Sequence, residues 1–449
     1  MIHKKMTELT DHIRKGEIDT VIVAFPDHFG QLMGKRLEAR FFLDHPVVES
    51  CSYLLTTDIE MSPLKGFSLG SWEKGYGDFQ IVPDYSTIKL PSWAPATALI
   101  LGDLVHEGEE IAQSPRAILK KQAARAAKLG CRPMMASELE FYLFENPFKE
   151  VMSGGHEALR PSSVYPIDYH ILGTGYSEAF LARVRAAMSA AGITVESSKG
   201  ETGRGQHEIA LLYDEAVEMA DRHILYKYGT KAMAAAEGKS VTFMAKYSDR
   251  DSGSSCHIHT SLANPDNGEN LFWDPSARRE SETFRFFLGG LHELSAEFFL
   301  FYAPNVNSYK RYTAGSFAPT RLAWDYDNRT TSFRVVGEGP GFRVENRLPG
   351  ADANPYLAYA AMLAAGLYGM EHKIEAPRRF TGDAYHAQEL EPLPSSLAEA
   401  AEKLDNSRRA RELFGDAVVD HYVRHARLEA EAYSRVVGEW ELKRYFERY

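Results

Sequence analysis

The sequence predicts an α+β protein of two domains, a strand-rich one over residues 1–108 and a larger mixed one over residues 109–449. Length is the first observation, because 449 residues exceed what a single simple core usually organises. The second is a change of texture. The first hundred residues hold several strand candidates and one obvious helix, whereas strands and helices alternate after Ser114-Pro115. The third is the composition, 44% hydrophobic and 25% charged, which is that of an ordinary globular chain.

Residues 3–15 have the spacing of a short amphipathic helix, and Thr20–Phe25 is an apolar strand. Gly30–Phe42 alternates as a partly exposed strand does. Cys51–Glu60 is a further strand candidate ending in the acidic pair Asp58 and Glu60. The Gly- and aromatic-rich stretch 63–78 reads as a loop, followed by strands at Phe79–Val82 and Ala98–Leu101. Ser114 as N-cap and Pro115 in the first turn start a helix that runs to Gly130. Beyond it, strands are expected at 133–144, 193–198, 207–213, 239–247, 256–262, 331–336 and 342–348. Helices are expected at 177–191, 214–237, 280–301, 353–374 and 395–432. Gly154 to Pro166 is a long polar loop. The most apolar run, Tyr356–Met370, is too short to span a bilayer and reads as a buried helix.

Chemistry concentrates in the segment from Asn307 to Tyr356, which carries Lys310, Arg311, Arg321, Arg329, Arg334, Arg343 and Arg347. Guanidinium groups are planar, bidentate and permanently charged, so they are the usual protein answer to phosphate and carboxylate. Read as a strand, Phe342–Leu348 places Arg343, Glu345 and Arg347 on one face. Glu138 and Glu140 likewise share one strand face, with Leu139, Phe141 and Leu143 on the other. Adjacent buried carboxylates repel unless a cation lies between them. Glu201 and Glu208 bracket a Gly-rich turn that matches neither a phosphate loop nor a dinucleotide fingerprint, and Glu196 precedes it. His257 and His259 share a strand face. Carboxylates with one or two imidazoles suit Mg²⁺ or Mn²⁺ better than Zn²⁺ or Ca²⁺, and such ions beside arginines are the parts of a phosphoryl-transfer site.

A net charge of −11 argues against nucleic acid as the main partner. Three scattered cysteines without zinc spacing, and an N-terminus without the apolar core of a signal peptide, point to a reducing cytoplasm and give no membrane role.

Taken together, SELEFYLF, GRGQHEI, SGSSCHIHTSL, NSYKRY, DNRTTSFR, RVENRLPG and ANPYLAYAAMLAAGLYG resemble the glutamine synthetase family, in the long bacterial type and its γ-glutamylamide and γ-glutamylpolyamine synthetase relatives. The resemblance covers nearly the whole chain. It implies an N-terminal β-grasp domain, a catalytic α/β domain whose antiparallel-sheet barrel is shared between subunits, and a homo-dodecamer of paired hexameric rings. It implies ATP as co-substrate and Mg²⁺ or Mn²⁺ as metal. Carried over by position, Glu140, Glu201 and Glu208 are ligands of the metal facing the amino acid, and Glu138, His257 and Glu345 of the metal facing ATP. Arg311 and Arg347 hold glutamate, with Gly253 in the glutamate loop. Arg329 and Arg334 clamp the transferred phosphoryl group, and Glu196, His259, Ser261 and Arg343 line the nucleotide. Asp58, with Glu60 as fallback, is the acidic residue a neighbouring subunit lends to the ammonium site and the candidate base. Tyr385, near a position that some members adenylylate, reads as a surface tyrosine.

The departures bear on the substrate. Ammonia-using members carry a glutamate six residues after the first arginine, and this chain has Phe317 there. A phenyl ring neither accepts a proton nor fixes ammonium, but it packs on carbon. Ser252 stands where an asparagine usually contacts the α-amino end of glutamate. The expected reaction is ligation of the glutamate γ-carboxylate to an organic amine through γ-glutamyl phosphate. Phe317 with Tyr53 would suit an aromatic amine, and Asp58 with Glu60 a polyamine. An ammonia-dependent glutamine synthetase and an inactive structural homologue are the alternatives.

Overall fold

The computed structural model describes residues 2–449 and divides its main strands between two sheets. The strands of the first are β1 (Thr20–Pro26), β2 (Leu32–Glu38), β3 (Val48–Cys51), β4 (Asp78–Pro83), β5 (Thr97–His106) and β6 (Glu109–Glu110). Their order is β2-β1-β5-β4-β3, with β6 on β5. Only β1 and β5 run parallel among these pairs. The inward residues of β1, β4 and β5 pack on Leu9 and Ile13 of the first helix, Ile2–Arg14, to make a core of their own.

The second sheet contains β7 (Arg132–Phe144), β8 (Val195–Gly200), β9 (Gln206–Leu211), β10 (Asp214–Glu215), β11 (Ser240–Thr242) and β12 (Cys256–Ala263). After a small hairpin of β13 (Trp273–Asp274) and β14 (Arg279–Glu280), it adds β15 (Trp324–Tyr326), β16 (Phe333–Val336) and β17 (Arg343–Asn346). The path β15-β16-β17-β12-β7-β9-β8 curls into a nearly closed barrel. The helices Pro115–Lys128, Ala216–Ala236, Glu282–Leu294 and Pro355–His372 cover the outside of the sheet. Pro355–His372 is apolar on all sides and buried along most of its length, as its composition requires. Among the described residues no helix is long and apolar enough to cross a membrane.

Two polar clusters tie the first sheet to the rest. Arg116 is buried and its guanidinium binds Asp84 (2.8 Å) and Asp103 (2.6 Å) from the first unit and Asp221 (3.0 Å) from the helix Ala216–Ala236. The other cluster is formed by His28, on the turn after β1, and by His421 and His425 of the helix Asp416–Ser434. The rings of His28 and His425 stack with centroids 3.9 Å apart. Both are buried, and burial lowers their proton affinity.

Several expected elements differ. The strand expected over Cys51–Glu60 is absent, because after Cys51 the chain enters a 3₁₀ turn (Ser52–Leu55), and Asp58 then caps a tight turn by accepting from the backbone N–H of Glu60 and Ser62. In Gly30–Phe42, the strand stops at Glu38, whose side chain caps a short helix, Ala39–Asp44. Of 239–247 only Ser240–Thr242 pairs in the sheet. The helix expected over 280–301 ends at Leu294, with a 3₁₀ turn at Phe299–Phe301. The helix expected over 395–432 is three helices, Leu397–Asn406, Arg408–Phe414 and Asp416–Ser434. Ser407 caps the second through its side chain, and Gly415 (φ +98°) separates the second from the third. Ser114 precedes its helix as expected but makes no side-chain cap bond.

Candidate active site

Cross-strand register assembles the site. On the barrel's inner face Glu138 of β7 lies opposite His257 of β12, and Glu140 of β7 opposite Glu208 of β9. His259 of β12 lies opposite Glu345 of β17, which in turn faces Arg334 of β16. Inward-facing residues of five strands are thereby brought to one volume.

That volume is a cavity of about 360 Å³. Its lining includes Glu138, Glu140, Glu201, Glu208, His257 and Glu345, with Arg311, Arg329, Arg334 and Arg347 and the residues Ser252, Gly253 and Phe317. An adjoining cavity of about 410 Å³ shares Glu138, Ser197 and Glu208 with it. This second space adds Glu196, His259, Ser261 and Arg343 to apolar walls from Met134, Leu211 and Phe342. Lys310 and Arg321 belong to neither. Lys310 is exposed beside Tyr433, and Arg321 binds the carbonyl of Leu390. Asp58 also lies outside both cavities in its own chain and lines a small recess with His28 and Glu429.

The carboxylates divide into groups. One oxygen from each of Glu140, Glu201 and Glu208 falls within 4.8 Å of the others, and a second such group is Glu138, Glu208 and His257. Burial, with Glu201 close by, pushes the Glu140 carboxyl up to about 8. Burial, with Glu138, Glu140 and Glu201 close by, pushes Glu208 up to about 9. Three carboxylates that raise one another's proton affinity form a donor set that a divalent cation would relieve. Gln206 (3.0 Å) and the N–H of Ser255 (2.9 Å) fix Glu140 in place.

His257 is buried, and burial, with Arg347 nearby, lowers it to about 4, so it offers a neutral nitrogen. Its Nδ1 stands 3.3 Å from Glu345 and 3.5 Å from Glu138. His259 plays a different part. Arg343 Nε donates to its Nδ1 at 3.0 Å, and a guanidinium cannot accept, so the ring proton sits on Nε2, 2.9 Å from Glu138 Oε1. His259 also belongs, with Glu138 and Glu345, to a third group of potential ligands whose atoms lie within 4.8 Å of one another. Burial works against charge on Glu138, but the hydrogen bonds from His257 and His259 hold it well below the usual carboxylate range.

Glu345 is fully buried between Arg334 (2.8 Å) and Arg347 (2.5 Å). His257 and Arg347 overcome its burial and hold the carboxyl down to about 2. Arg311, 3% exposed, donates through Nη2 to the carbonyls of Arg347, Leu348 and Pro349, which fixes its fork at the cavity wall. A Cβ on Gly253 would stand 2.5 Å from Arg311 Cγ, so glycine is needed for that approach. Arg329 reaches the same cavity from the turn before β16.

Phe317 lies on the loop that follows Arg311, with φ +58° and 55% exposure. It lines the cavity, and its carbonyl accepts from Arg347 Nη2 at 3.1 Å. Tyr385 is not the surface tyrosine that the sequence suggests. It is half-buried with an enclosed hydroxyl near Phe317 and Arg347, so packing against that loop outweighs its polar sequence context. Tyr53 does not line the cavity of its own chain and packs on Tyr76. The sequence reading missed Asp168, Tyr169 and Lys199 as lining residues. Lys199 could have been noticed from its alternation with Ser197 and Glu201, but the loop that supplies Asp168 and Tyr169 carries no periodicity.

Residues 112–445 match the family model described as glutamine synthetase, catalytic domain. The chain is 47% identical over 445 residues to the gamma-glutamylethanolamide synthetase of Streptomyces coelicolor, covering 98% of this chain and 95% of that protein. It is 37% identical over 460 residues to a glutamate–isopropylamine ligase from a Pseudomonas species, covering 99% and 98%. The solved structure of a GmaS–ADP complex superposes with a TM-score of 0.86 at 28% identity, covering 98% of this chain and 99% of that one.

Proposed function

The chain belongs to the glutamine synthetase family, and from that premise we propose that it is an ATP-dependent ligase joining the γ-carboxylate of L-glutamate to an organic amine. The observation that carries the choice of amine is Phe317, an apolar ring on the wall of the cavity that holds the carboxylate and arginine groups. The names of the two relatives, one an ethanolamide synthetase and the other an isopropylamine ligase, support the same reading.

A carboxylate does not accept an amine directly, because oxide is too poor a leaving group. The γ-carboxylate oxygen attacks the γ-phosphorus of ATP, ADP leaves, and the γ-glutamyl phosphate is then open to the amine, which displaces phosphate and gives up a proton. Arg311 and Arg347, with Gly253 leaving room, hold glutamate. Arg347 is oriented for this by Glu345 and by the Phe317 carbonyl. Arg329 and Arg334 stabilise charge on the moving phosphoryl group. Glu196, His259, Ser261 and Arg343 line the nucleotide in the adjoining cavity, where Arg343 and His259 act as one hydrogen-bonded unit. Glu140, Glu201 and Glu208 on one side, and Glu138, His257 and Glu345 on the other, would hold Mg²⁺ or Mn²⁺, about two or three per site. These ions supply neutralisation of phosphate charge when bound. Asp58 acts as the base from a neighbouring subunit of a dodecamer, since in its own chain it lies outside the cavity.

Phosphate release from ATP, with Mg²⁺ and L-glutamate, across ammonia, ethanolamine, isopropylamine, putrescine, spermine and aniline tests the proposal. Turnover with an organic amine and little with ammonia is expected. Turnover with ammonia alone would make the protein a plain glutamine synthetase. Phe317→Ala that leaves amine preference unchanged would remove Phe317 from the argument.

A further inference from the structure

The cavity already contains an ammonium group, and it belongs to the protein. Lys199 is the penultimate residue of the edge strand β8, and its Nζ binds Glu201, with Asp168 Oδ1 and the Gly200 carbonyl each 3.4 Å away. The ring of Tyr169 lies over it, 4.4 Å from Nζ to the centroid. Two carboxylates, a carbonyl and an aromatic face are a complete set of contacts for a small cation. Tyr169 (φ +54°) and Phe317 (φ +58°) are both left-handed residues with bulky rings, and both line this cavity. Backbone held in that region by aromatic residues gathers at ligand sites, because only surrounding structure sustains its strain. The Lys199 side chain is only 23% exposed, so these contacts are largely shielded from solvent.

We infer that Lys199 is a specificity residue: its tethered ammonium fills the cation cradle formed by Asp168, Tyr169 and Glu201, so that free ammonium is refused and an organic amine is taken against Phe317. The inference rests on the proposed use of an organic amine. Its physical content is prior occupancy: bare ammonium depends wholly on the acceptors that Lys199 holds, whereas an alkyl amine also gains packing of its carbon on Phe317.

The test is a competition assay with ATP, Mg²⁺, L-glutamate and equal isopropylamine and ammonia, in which γ-glutamylisopropylamide and glutamine are both quantified. Wild type should give mostly the amide. Lys199→Met should raise the glutamine-to-amide ratio by about tenfold or more, because the cradle opens to ammonium. Lys199→Arg keeps the charge and should keep the wild-type ratio. A Lys199→Met enzyme with the wild-type ratio overturns the inference and leaves the amine reading standing. A wild type that makes only glutamine overturns the amine reading itself. Should Lys199→Met be inactive, thermal unfolding in ammonium chloride against sodium chloride at equal ionic strength decides. Stabilisation by ammonium in the variant but not in wild type supports the cradle, and its absence refutes it.

Discussion

Glu208→Gln should raise stability without a divalent cation and weaken the gain that a divalent cation brings. Glu208 is 7% exposed and shares a 4.8 Å cluster with Glu140 and Glu201. Two unit charges at that separation repel by about 3.5 kcal/mol at an effective dielectric constant of about 20. The group escapes this by keeping a proton, its carboxyl being pushed up to about 9 by burial and by the neighbouring glutamates. Keeping a proton at pH 7 on a carboxyl whose free value is near 4.5 costs about 3 kcal/mol, so both routes give a similar figure. A carboxyl whose folded value is raised contributes its full stability below about pH 4.5 and loses it as the pH rises toward 9. Glutamine has no such loss. In EDTA the variant should therefore be more stable than wild type by about 3–5 kcal/mol at pH 8 and by less than about 1 kcal/mol at pH 5. Mn²⁺ acts in the opposite direction. Wild type gains about 2.7 kcal/mol when the metal is at 100 times its dissociation constant, whereas the variant lacks one charged ligand and gains less. Differential scanning fluorimetry at both pH values, with EDTA or MnCl₂, reads all four states. A variant that melts below wild type in EDTA at pH 8, or that gains as much from Mn²⁺, refutes the reasoning.

Arg116→Met leaves Asp221 buried without its partner and should cost about 3–5 kcal/mol in urea unfolding followed by tryptophan fluorescence; a loss below about 1 kcal/mol contradicts the role given to Arg116. Gly253→Ala forces Arg311 off the cavity wall and should raise the KM for glutamate about tenfold while circular dichroism stays unchanged; an unaltered KM means the loop relaxes freely. His28 and His425 are kept neutral by burial, His425 down to about 4. Their stability is therefore complete above about pH 6.5 and lost as the pH falls toward 4, so the stability of His28→Leu relative to wild type should rise across that window when followed by urea titration.

Much of the site was legible because it rests on strands whose period of two is written in the sequence. Glu138 and Glu140, His257 and His259, and Arg343 to Arg347 could be assigned to faces before any fold was known. Register was not legible. Nothing local states that Glu140 meets Glu208 or that His259 meets Glu345, and only the motif order implied it. The division of labour between His257 and His259 is also invisible in sequence, since it depends on which nitrogen Arg343 reaches. Arg321 looked like its neighbours because composition does not record direction. The misread helix over 395–432 has a physical cause too. Apolar periodicity continues through Ser407 and Gly415, and the break comes from a side-chain cap and a left-handed glycine rather than from a change of hydrophobicity.

The loop after Arg311 assigns two tasks to one residue through different atoms. The backbone carbonyl of Phe317 anchors Arg347, while the residue as a whole lines the cavity. Any residue able to sit at φ +58° preserves the anchor, because the carbonyl is common to all twenty amino acids. On the proposed reading, choice of nucleophile is thereby uncoupled from grip on the acid. A single substitution at 317 would then explore new amines while glutamate remains held, which would make this position a point of modular change in an otherwise tightly interlocked barrel.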